Sequence, residues 1–386
     1  MRCRASLILL FLSVTPLAAQ DLAAVRELKQ LWKYDEAIGA LTQMMAEQGP
    51  QVILLEELAD CHYQSGNAAE ALEQYSLLSS MQPDKLLYKL RLMNLLYRGK
   101  QYEASVGLGR EILQRDSITQ VISLVGDAFN QLERRDSAEW YYRRALERRP
   151  HNESVLNKLC GILLGREQYD EVLSLTGAFL ADEPDNLTIL PVSGIAHFAK
   201  EQFDEAEADF SRMQKLGDDG YAVHYYLGQC AQKFGRTWAA EQEFEKAWQR
   251  DSTDVGLAIT IARLKSDLLH SDWSQWYEKA LERLSPDQRT IANIAATHQN
   301  YALSAYKYGQ WDLCISEYNK LLGMNPQHYA AYYMIAQCYE YKKDYRNALS
   351  WYKKAQGAFA SGTRGREIAD SGVERMTAEL FMAEGK

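Results

Sequence analysis

One segment decides the fold: residues 125–150, which read VGDAFNQLERRDSAEWYYRRALERRP. The small residue Gly126 precedes the small residue Ala138 by twelve positions, and the bulky Tyr142 follows Ala138 by four. Small residues at this spacing let two antiparallel helices approach closely, and a bulky side chain one turn further along fills the space beside them. Pro150 then ends the second helix, because proline removes a backbone donor. The segment predicts a pair of antiparallel helices.

The same spacing recurs along the chain. Residues aligned with Ala138 follow one another at steps of 33 or 34, apart from one step of 41. These anchors are Ala37, Ala71, Ala104, Ala138, Val172, Ala206, Ala240, Trp273, Cys314 and Ala348. Residues twelve positions earlier are mostly small, as Gly194 and Gly228 are, whereas the position in the third repeat holds Leu92. Nine of the ten residues four positions later are bulky, Leu108 among them. Such regularity predicts about ten stacked helix pairs.

The pattern resembles the tetratricopeptide repeat family, whose period is 34 residues. The resemblance is carried by Gly126, Ala138, Tyr142, Ala145 and Pro150, and almost as well by Tyr226-Leu227-Gly228 with Ala240, Phe244 and Ala247. It covers roughly residues 21 to 362. It implies an all-α fold, a right-handed α-solenoid or superhelix of about ten antiparallel helix pairs with a C-terminal capping helix. It also implies protein binding, but it does not name a ligand.

Four segments are expected from this pattern. They are a signal peptide at 1–20, the first eight repeats at 21–285 with a degenerate first repeat, two further repeats at 286–362, and a capping helix with its tail at 363–386. The step of 41 residues precedes the ninth anchor, and Ser285-Pro286-Asp287-Gln288 carries the signals of a helix start. The extra residues should therefore extend the next helix, from near Pro286 to Lys307, by about two turns. A free loop is the alternative.

The first twenty residues have the character of a secretory signal. Arg2 and Arg4 precede the apolar stretch Ser6–Leu12, and Leu17-Ala18-Ala19 supplies small residues for cleavage at Ala19 or Gln20. The apolar stretch is too short for a permanent membrane helix, although a retained anchor is the alternative. We therefore expect an exported chain without an integral membrane segment, in the periplasm, secreted or associated with the envelope.

Composition and motifs argue against several other functions. A formal charge of −9 disfavours a nucleic-acid partner, which needs a basic face. No hydrolase, metalloprotease or phosphate-loop motif is present, so we expect no enzyme, cofactor or metal. The histidines, among them His224 and His298, fall at repeat phases that favour packing roles. Five cysteines remain after signal cleavage (Cys61, Cys160, Cys230, Cys314 and Cys338), and only Cys314 and Cys338 lie in neighbouring repeats where a disulfide could be tested.

The first helices of stacked pairs line the concave side of a solenoid, so their exposed residues should recur at a fixed position within the repeat, which we call the phase. The phase gives these partner-binding candidates: Asp60, Tyr63, Met93, Tyr97, Asp127, Asn130, Asn157, Phe198, Tyr225, Gln229, Tyr306, Tyr333, Gln337 and Tyr341. The same phase also gives Lys265. Tyrosines and amides suit a peptide or helix of low net charge. The sequence predicts a non-catalytic scaffold for a protein partner; a carbohydrate-binding or glycan-processing protein and a simple spacer are the alternatives. It does not give the oligomeric state.

Overall fold

The computed structural model describes residues 16–284 and 288–384. They form twenty-one α-helices and no β-strand, which confirms the all-α class. The helices are α1 (Pro16–Gln30), α2 (Tyr34–Gln48), α3 (Val52–Ser65), α4 (Ala68–Met81), α5 (Leu86–Arg98), α6 (Tyr102–Arg115), α7 (Thr119–Gln131), α8 (Arg135–Arg148), α9 (Glu153–Leu164), α10 (Tyr169–Asp182), α11 (Leu190–Ala199), α12 (Phe203–Lys215), α13 (Tyr221–Lys233), α14 (Thr237–Arg250), α15 (Val255–Asp267), α16 (Trp273–Arg283), α17 (Gln288–Lys307), α18 (Trp311–Met324), α19 (Tyr329–Tyr341), α20 (Tyr345–Ala358) and α21 (Arg364–Glu384).

The chain divides into two compact units. Unit 1 ends at Gln168 and holds α1 to α9, whereas unit 2 begins at Tyr169 and holds α10 to α21. In both units each helix packs on the next one in sequence, as in an α-solenoid. Up to α20, odd-numbered helices are the first helices of pairs and even-numbered helices are the second. The fifth pair is divided, with α9 in unit 1 and α10 in unit 2.

A single left-handed residue ends the first helix of each pair. These residues are Trp32, Gly66, Lys100, Glu133, Glu167, Glu201, Gly235, Leu269, Gly309 and Lys343, with φ between 58° and 88°. Around Lys100, its N–H donates to the Tyr97 carbonyl and the Gln101 N–H donates to the Leu96 carbonyl, which is the Schellman arrangement. The turn thus satisfies carbonyls that the helix leaves open. Most of these residues are not glycine, although a left-handed L-residue costs about 1–2 kcal/mol.

In the fourth, sixth and seventh pairs, close approach of the two helices depends on a glycine of the first helix. A Cβ at Gly126 would lie 2.8 Å from the Tyr142 ring, and one at Gly228 would lie 2.6 Å from the Phe244 ring. Gly194 faces Phe210 in the same way, at 2.7 Å. The three rings are fully buried. Here the sequence rule of a small residue on the first helix beside an aromatic residue on the second describes the packing directly.

The third pair reverses this rule and corrects the sequence alignment. Ala104, the expected anchor, is exposed, whereas Ser105 is 0% exposed and its hydroxyl donates to the Met93 carbonyl over 3.1 Å. Four residues later stands Gly109, where a Cβ would lie 2.7 Å from Met93 Cε. In this pair the first helix supplies the bulky side chain and the second supplies the glycine. The alignment on Ala104 was therefore wrong by one residue.

The eighth and ninth pairs depart from the regular spacing. Trp273 stands at the position that is small elsewhere, is 1% exposed, and stacks on Tyr308 at 5.2 Å between ring centroids. The following helix, α17, has 20 described residues, more than any other first helix in the described chain. Its expected start near Pro286 lies outside the described residues. The left-handed residues Leu269 and Gly309 are correspondingly 40 positions apart.

The two ends of the chain differ in how much is described. At the start, α1 begins at Pro16, inside the segment expected to be a signal peptide, and residues 1–15 of that segment lie outside the described residues. At the other end, α21 packs on α20, with Met376 2% exposed and Gly372 against the Tyr352 ring. Phe381 on α21 is 82% exposed and does not join this packing.

The five cysteines of the described residues are all buried and carry free thiols. Their positions agree with their use as small apolar residues. A hydrogen bond with the Cys338 thiol, together with burial, raises the pKa of the Cys314 thiol. The two side chains are therefore neighbours across α18 and α19, although no disulfide joins them.

Candidate functional site on the first helices

Side chains from successive first helices line common clefts within each unit. We call the exposed surface of these helices the first-helix face. Cleft A, of about 240 Å³, is lined from α1, α3 and α5, with Lys29, Asp60 and Arg91 among its residues and Tyr75 of α4 also in its lining. Cleft B, of about 510 Å³, is lined from α5, α7 and α9. Cleft C, of about 300 Å³, lies in unit 2 between α13, α15 and α17, with Tyr277 of α16 also in its lining.

In unit 1 the predicted residues Asp60, which lines cleft A, and Tyr63 already have partners. Lys29 Nζ lies 2.8 Å from Asp60 Oδ2 and 2.5 Å from Glu57 Oε2, and the Arg91 guanidinium lies 3.8 Å from Asp60. Arg91 also covers the Tyr63 ring, 4.2 Å from its centroid. Burial alone would lower the pKa of Lys29, but its hydrogen bonds with Asp60 and Glu57 raise it. Asp60 and Tyr63 therefore hold adjacent helices together before any partner arrives.

Cleft B repeats the arrangement around Asp127. Lys158 Nζ lies 2.8 Å from Asp127 Oδ2, and the Tyr142 hydroxyl donates to Asp127 Oδ1 over 2.8 Å. Tyr97 hydrogen-bonds to Gln131, and burial, followed by the charge of Asp127, raises the pKa of Tyr97. Asn130 is exposed, and its side chain makes no hydrogen bond within the described residues.

Two further candidates in unit 1, Asn157 and Met93, differ in their exposure. Asn157 is half-buried, and its side chain makes no hydrogen bond to another described residue. Met93 is 1% exposed because it fills the space beside Gly109, so its assignment to the binding surface was wrong. The misplacement follows from the one-residue error in the third repeat.

In unit 2 the aromatic candidates belong to packed clusters. The Phe198 ring lies 5.3 Å from that of Phe203 and 5.5 Å from that of Tyr226, and Tyr225 stacks on Tyr221 at 5.5 Å. Gln229, one turn after Tyr225 on α13, is half-buried, and its side chain makes no hydrogen bond in the described chain. Phe198 and Tyr225 therefore support neighbouring helices and offer only part of their rings to a partner.

A second cluster lies on α17 to α19. The Tyr306 hydroxyl donates to Gln337 Oε1 over 3.2 Å, and Trp311 stacks on Tyr341 at 4.7 Å between centroids. Burial, and then a hydrogen bond with Tyr341, raises the pKa of Tyr306. Tyr341 keeps 57% of its surface exposed, whereas Tyr333 is half-buried with its ring 5.9 Å from that of Tyr352.

The contacts between successive first helices have a common spacing. Lys29 with Asp60, Asp60 with Arg91, Asp127 with Lys158, and Tyr306 with Gln337 are each 31 positions apart. The contacting residue on the next first helix thus lies about one helical turn before the residue that the 34-residue period makes equivalent to the first one. A search for opposite charges 31 positions apart would have found the ion pairs of Asp60 with Lys29 and Arg91, and that of Asp127 with Lys158.

Lys265, which the phase also put on the concave surface, is buried. Its Nζ lies 2.7 Å from Glu245, 2.9 Å from Glu241 and 3.0 Å from Asp272. The projection failed because the irregular eighth pair shifts the phase. Arg263, Asn300 and Leu303 also line cleft C and were not among the candidates.

The histidines that the repeat phase assigned to packing roles have carboxylate partners. His224 is 2% exposed in its side chain, with Nδ1 2.6 Å from Glu243 and Nε2 2.5 Å from Asp219. His298 Nδ1 lies 2.5 Å from Glu317. No group of three or more His, Cys, Asp or Glu residues suited to a metal ion occurs in the described part of the chain. None of the described helices combines the length and apolar character of a membrane span.

Comparison with known proteins places these features in a family. The family model described as tetratricopeptide repeat matches residues 22–85, 193–255 and 301–363. Among curated proteins, the chain is similar to Protein CTR9 homolog of Arabidopsis thaliana, with 25% identity over 224 residues. That alignment covers 57% of this chain and 20% of the relative, so the chain matches about a fifth of the relative's length.

Two solved structures illustrate the likeness. Yeast Tom70 is 12% identical with a TM-score of 0.33, over 95% of this chain and 97% of that one. A tetratricopeptide repeat protein from Parabacteroides merdae is 15% identical with a TM-score of 0.39, over 67% of this chain and 98% of that one. The repeated residue pattern, the helix pairs that it forms and the matching family model lead to one conclusion: the chain belongs to the tetratricopeptide repeat family.

Proposed function

We propose that the chain is a non-catalytic scaffold that binds a protein partner, as an extended peptide or a helix, along the first-helix face. The fold of stacked helix pairs supports a protein-interaction scaffold in general terms. The observation that carries the finer proposal is the set of clefts, each lined by three successive first helices. A surface of this kind offers a bound segment several contacts in register.

The groups left available on this face suit a peptide main chain. Asn130 and Asn157 in unit 1 and Gln229 in unit 2 make no side-chain hydrogen bond within the described residues. An amide side chain can donate and accept at once, which matches the donors and acceptors of an extended backbone. By contrast, Asp60 and Asp127 are each paired with a lysine, which gives little support to a pair of catalytic carboxylates and hence to the glycan-processing alternative.

The proposed location is outside the cytoplasm, in the periplasm or at the envelope. It rests on the charged start, apolar stretch and small residues of positions 1–20. The N-terminus of the purified protein tests it by mass spectrometry. A chain that begins next to Ala19 or Gln20 supports export, and one that keeps Met1 and is recovered in the cytoplasmic fraction contradicts it.

The groove assignment is tested with two paired variants. We expect Asn130→Arg with Gln229→Arg to weaken capture of the partner at least about tenfold, because two long charged side chains would fill the first-helix face. The measurement is quantitative mass spectrometry of proteins co-purified with the tagged chain from an extract of its own cells.

The matched control replaces two exposed amides of second helices, Gln114→Arg with Gln242→Arg. It adds the same charge and should leave capture unchanged. Equal capture by both variants and the wild type would remove the basis for placing the partner on the first helices.

A further inference from the structure

Cleft C differs from the other two clefts in its origin. It lies where the regular spacing breaks, with Leu269 and Gly309 40 positions apart and Trp273 wedged at a normally small position. Its sides come from α13, α15 and α17, and its base includes Tyr277, which is fully buried, and Ser304. The Tyr277 hydroxyl lies 3.1 Å from Ser304 Oγ. A volume of about 300 Å³ is at the lower end of ligand pockets and suits a short piece of peptide.

The charges in this cleft do not cancel. Lys307 Nζ lies 2.7 Å from Asp267 Oδ1, so these two groups neutralise each other. Arg263 lines the same cleft, is exposed, and makes no ion pair or hydrogen bond with any described residue. The cleft therefore carries a net positive charge in a chain whose formal charge is −9. A guanidinium in such a position favours a carboxylate, which can accept two parallel hydrogen bonds from it.

Neutral polar groups stand on both sides of Arg263. Gln232 on α13 and Asn300 on α17 line the cleft, and neither side chain has a hydrogen-bond partner in the described chain. Leu303, 44% exposed, adds an apolar contact. A peptide that pairs its main chain with both amides must continue past Arg263 in both directions. The carboxylate at Arg263 then belongs to a side chain within the segment rather than to a chain end.

We propose that cleft C binds an aspartate or glutamate side chain inside an extended peptide, with Arg263 on the carboxylate and with Gln232 and Asn300 on the adjoining main chain. This inference rests on the proposed function and adds to it a residue type that the partner must carry.

The test is selection from a library of random peptides displayed on phage with their C-termini fused to the coat protein. Because the library offers no free peptide C-terminus, only acidic side chains can supply the carboxylate. We expect the wild-type chain to select peptides with a fixed aspartate or glutamate. A labelled synthetic copy of the best peptide should lose about tenfold in affinity with Arg263→Glu, since a charge pair in a cleft is replaced by repulsion.

Two further variants make the result specific. Arg364→Glu, at an exposed arginine of α21 outside the cleft, changes the net charge equally and should bind like the wild type. Arg263→Gln removes the charge without repulsion and should still weaken binding, which keeps the test valid if Arg263→Glu unfolds the chain. A lysine in place of the acidic residue of the peptide should recover part of the affinity for Arg263→Glu.

The outcomes separate this inference from the proposed function. Selected peptides without a fixed acidic residue, or unchanged affinity in both Arg263 variants, would overturn the assignment of cleft C while peptide binding stood. Selection of no peptide by the wild type would contradict both proposals.

Discussion

Lys265→Met is expected to destabilise unit 2 by about 3 kcal/mol, the lower part of the range for an uncompensated buried charge. Lys265 is 8% exposed in its side chain and contacts Glu241, Glu245 and Asp272 at 2.7–3.0 Å. His270 Nδ1 also lies 2.9 Å from Glu241. Without the ammonium group, three carboxylates would face one another, and Glu241 is only 5% exposed. Glu245 and Asp272 are partly exposed to water, so the expected loss of folding stability stays below the upper end of the range for an uncompensated buried charge.

The measurement is the urea midpoint followed by far-ultraviolet circular dichroism. The control is Lys307→Met, which removes an ammonium group from a pair whose side chains are 49% and 61% exposed. Exposed pairs contribute about 0–1 kcal/mol, so the control should shift the midpoint little. Equal shifts in the two variants would mean that the Lys265 cluster is no stronger than a surface ion pair.

The effect of Lys265→Met should also depend on pH. Burial raises the pKa of Asp272, but the hydrogen bond and charge of Lys265 outweigh burial, and the net pKa lies below the ordinary value. A carboxylate with a lowered pKa stabilises the folded state above its ordinary pKa, and that stability is lost as the pH falls through the lowered value. The difference between the wild type and Lys265→Met should therefore shrink in acid.

Gly228→Leu is expected to destabilise the protein by about 3 kcal/mol through overpacking. Even a Cβ at Gly228 would lie 2.6 Å from two carbons of the Phe244 ring, which is fully buried. Neither helix can move apart without losing the contacts of the pair. The matched control is Gly161→Leu on α9, where a Cβ would meet nothing within 4 Å. Leucine there should stabilise by about 0.5–1 kcal/mol, because glycine is a poor helix former.

A double-mutant cycle with Phe244→Ala isolates the contact. Removing the ring should offset much of the cost of Gly228→Leu, so that the two changes are strongly non-additive in the urea midpoint. Additive effects, or an unchanged midpoint in Gly228→Leu, would contradict the close approach of α13 and α14.

The repeat pattern predicted the fold because its signals are local and recur. Gly126 with Tyr142 and Gly228 with Phe244 occupy the expected spacing and pack as expected. The third pair was aligned one residue too early because Ala104 and Ser105 are both small, so residue size alone did not distinguish them. The left-handed turns are regular in space, yet they accept Trp32, Glu133 and other residues as well as glycine. Their sequence therefore carries little information about the turn.

The site was harder to predict than the fold, since exposure depends on partners from other helices. Asp60 and Asp127 stand at the predicted surface, but each is paired with a lysine 31 positions away. Lys265 and Arg263 are two residues apart on α15, one enclosed by carboxylates and the other facing cleft C. The two side chains differ in role because α15 lies between α14 and α17. The irregular spacing of the eighth and ninth pairs kept the repeat pattern from predicting that position.

The most direct test of binding on the first-helix face is site-specific photo-crosslinking in cells. A benzoyl-phenylalanine replaces Tyr97 or Tyr341 on first helices, and in the control chains it replaces Trp140 or Trp238 on second helices. Tyr341 is 57% exposed and the two tryptophans are 55% and 59% exposed, so these three sites are matched in exposure, whereas Tyr97 is half-buried. Binding along the first-helix face predicts a crosslinked partner from Tyr97 and Tyr341 and none from the tryptophans. The same partner crosslinked from Trp140 and Trp238 but not from the tyrosines would contradict it.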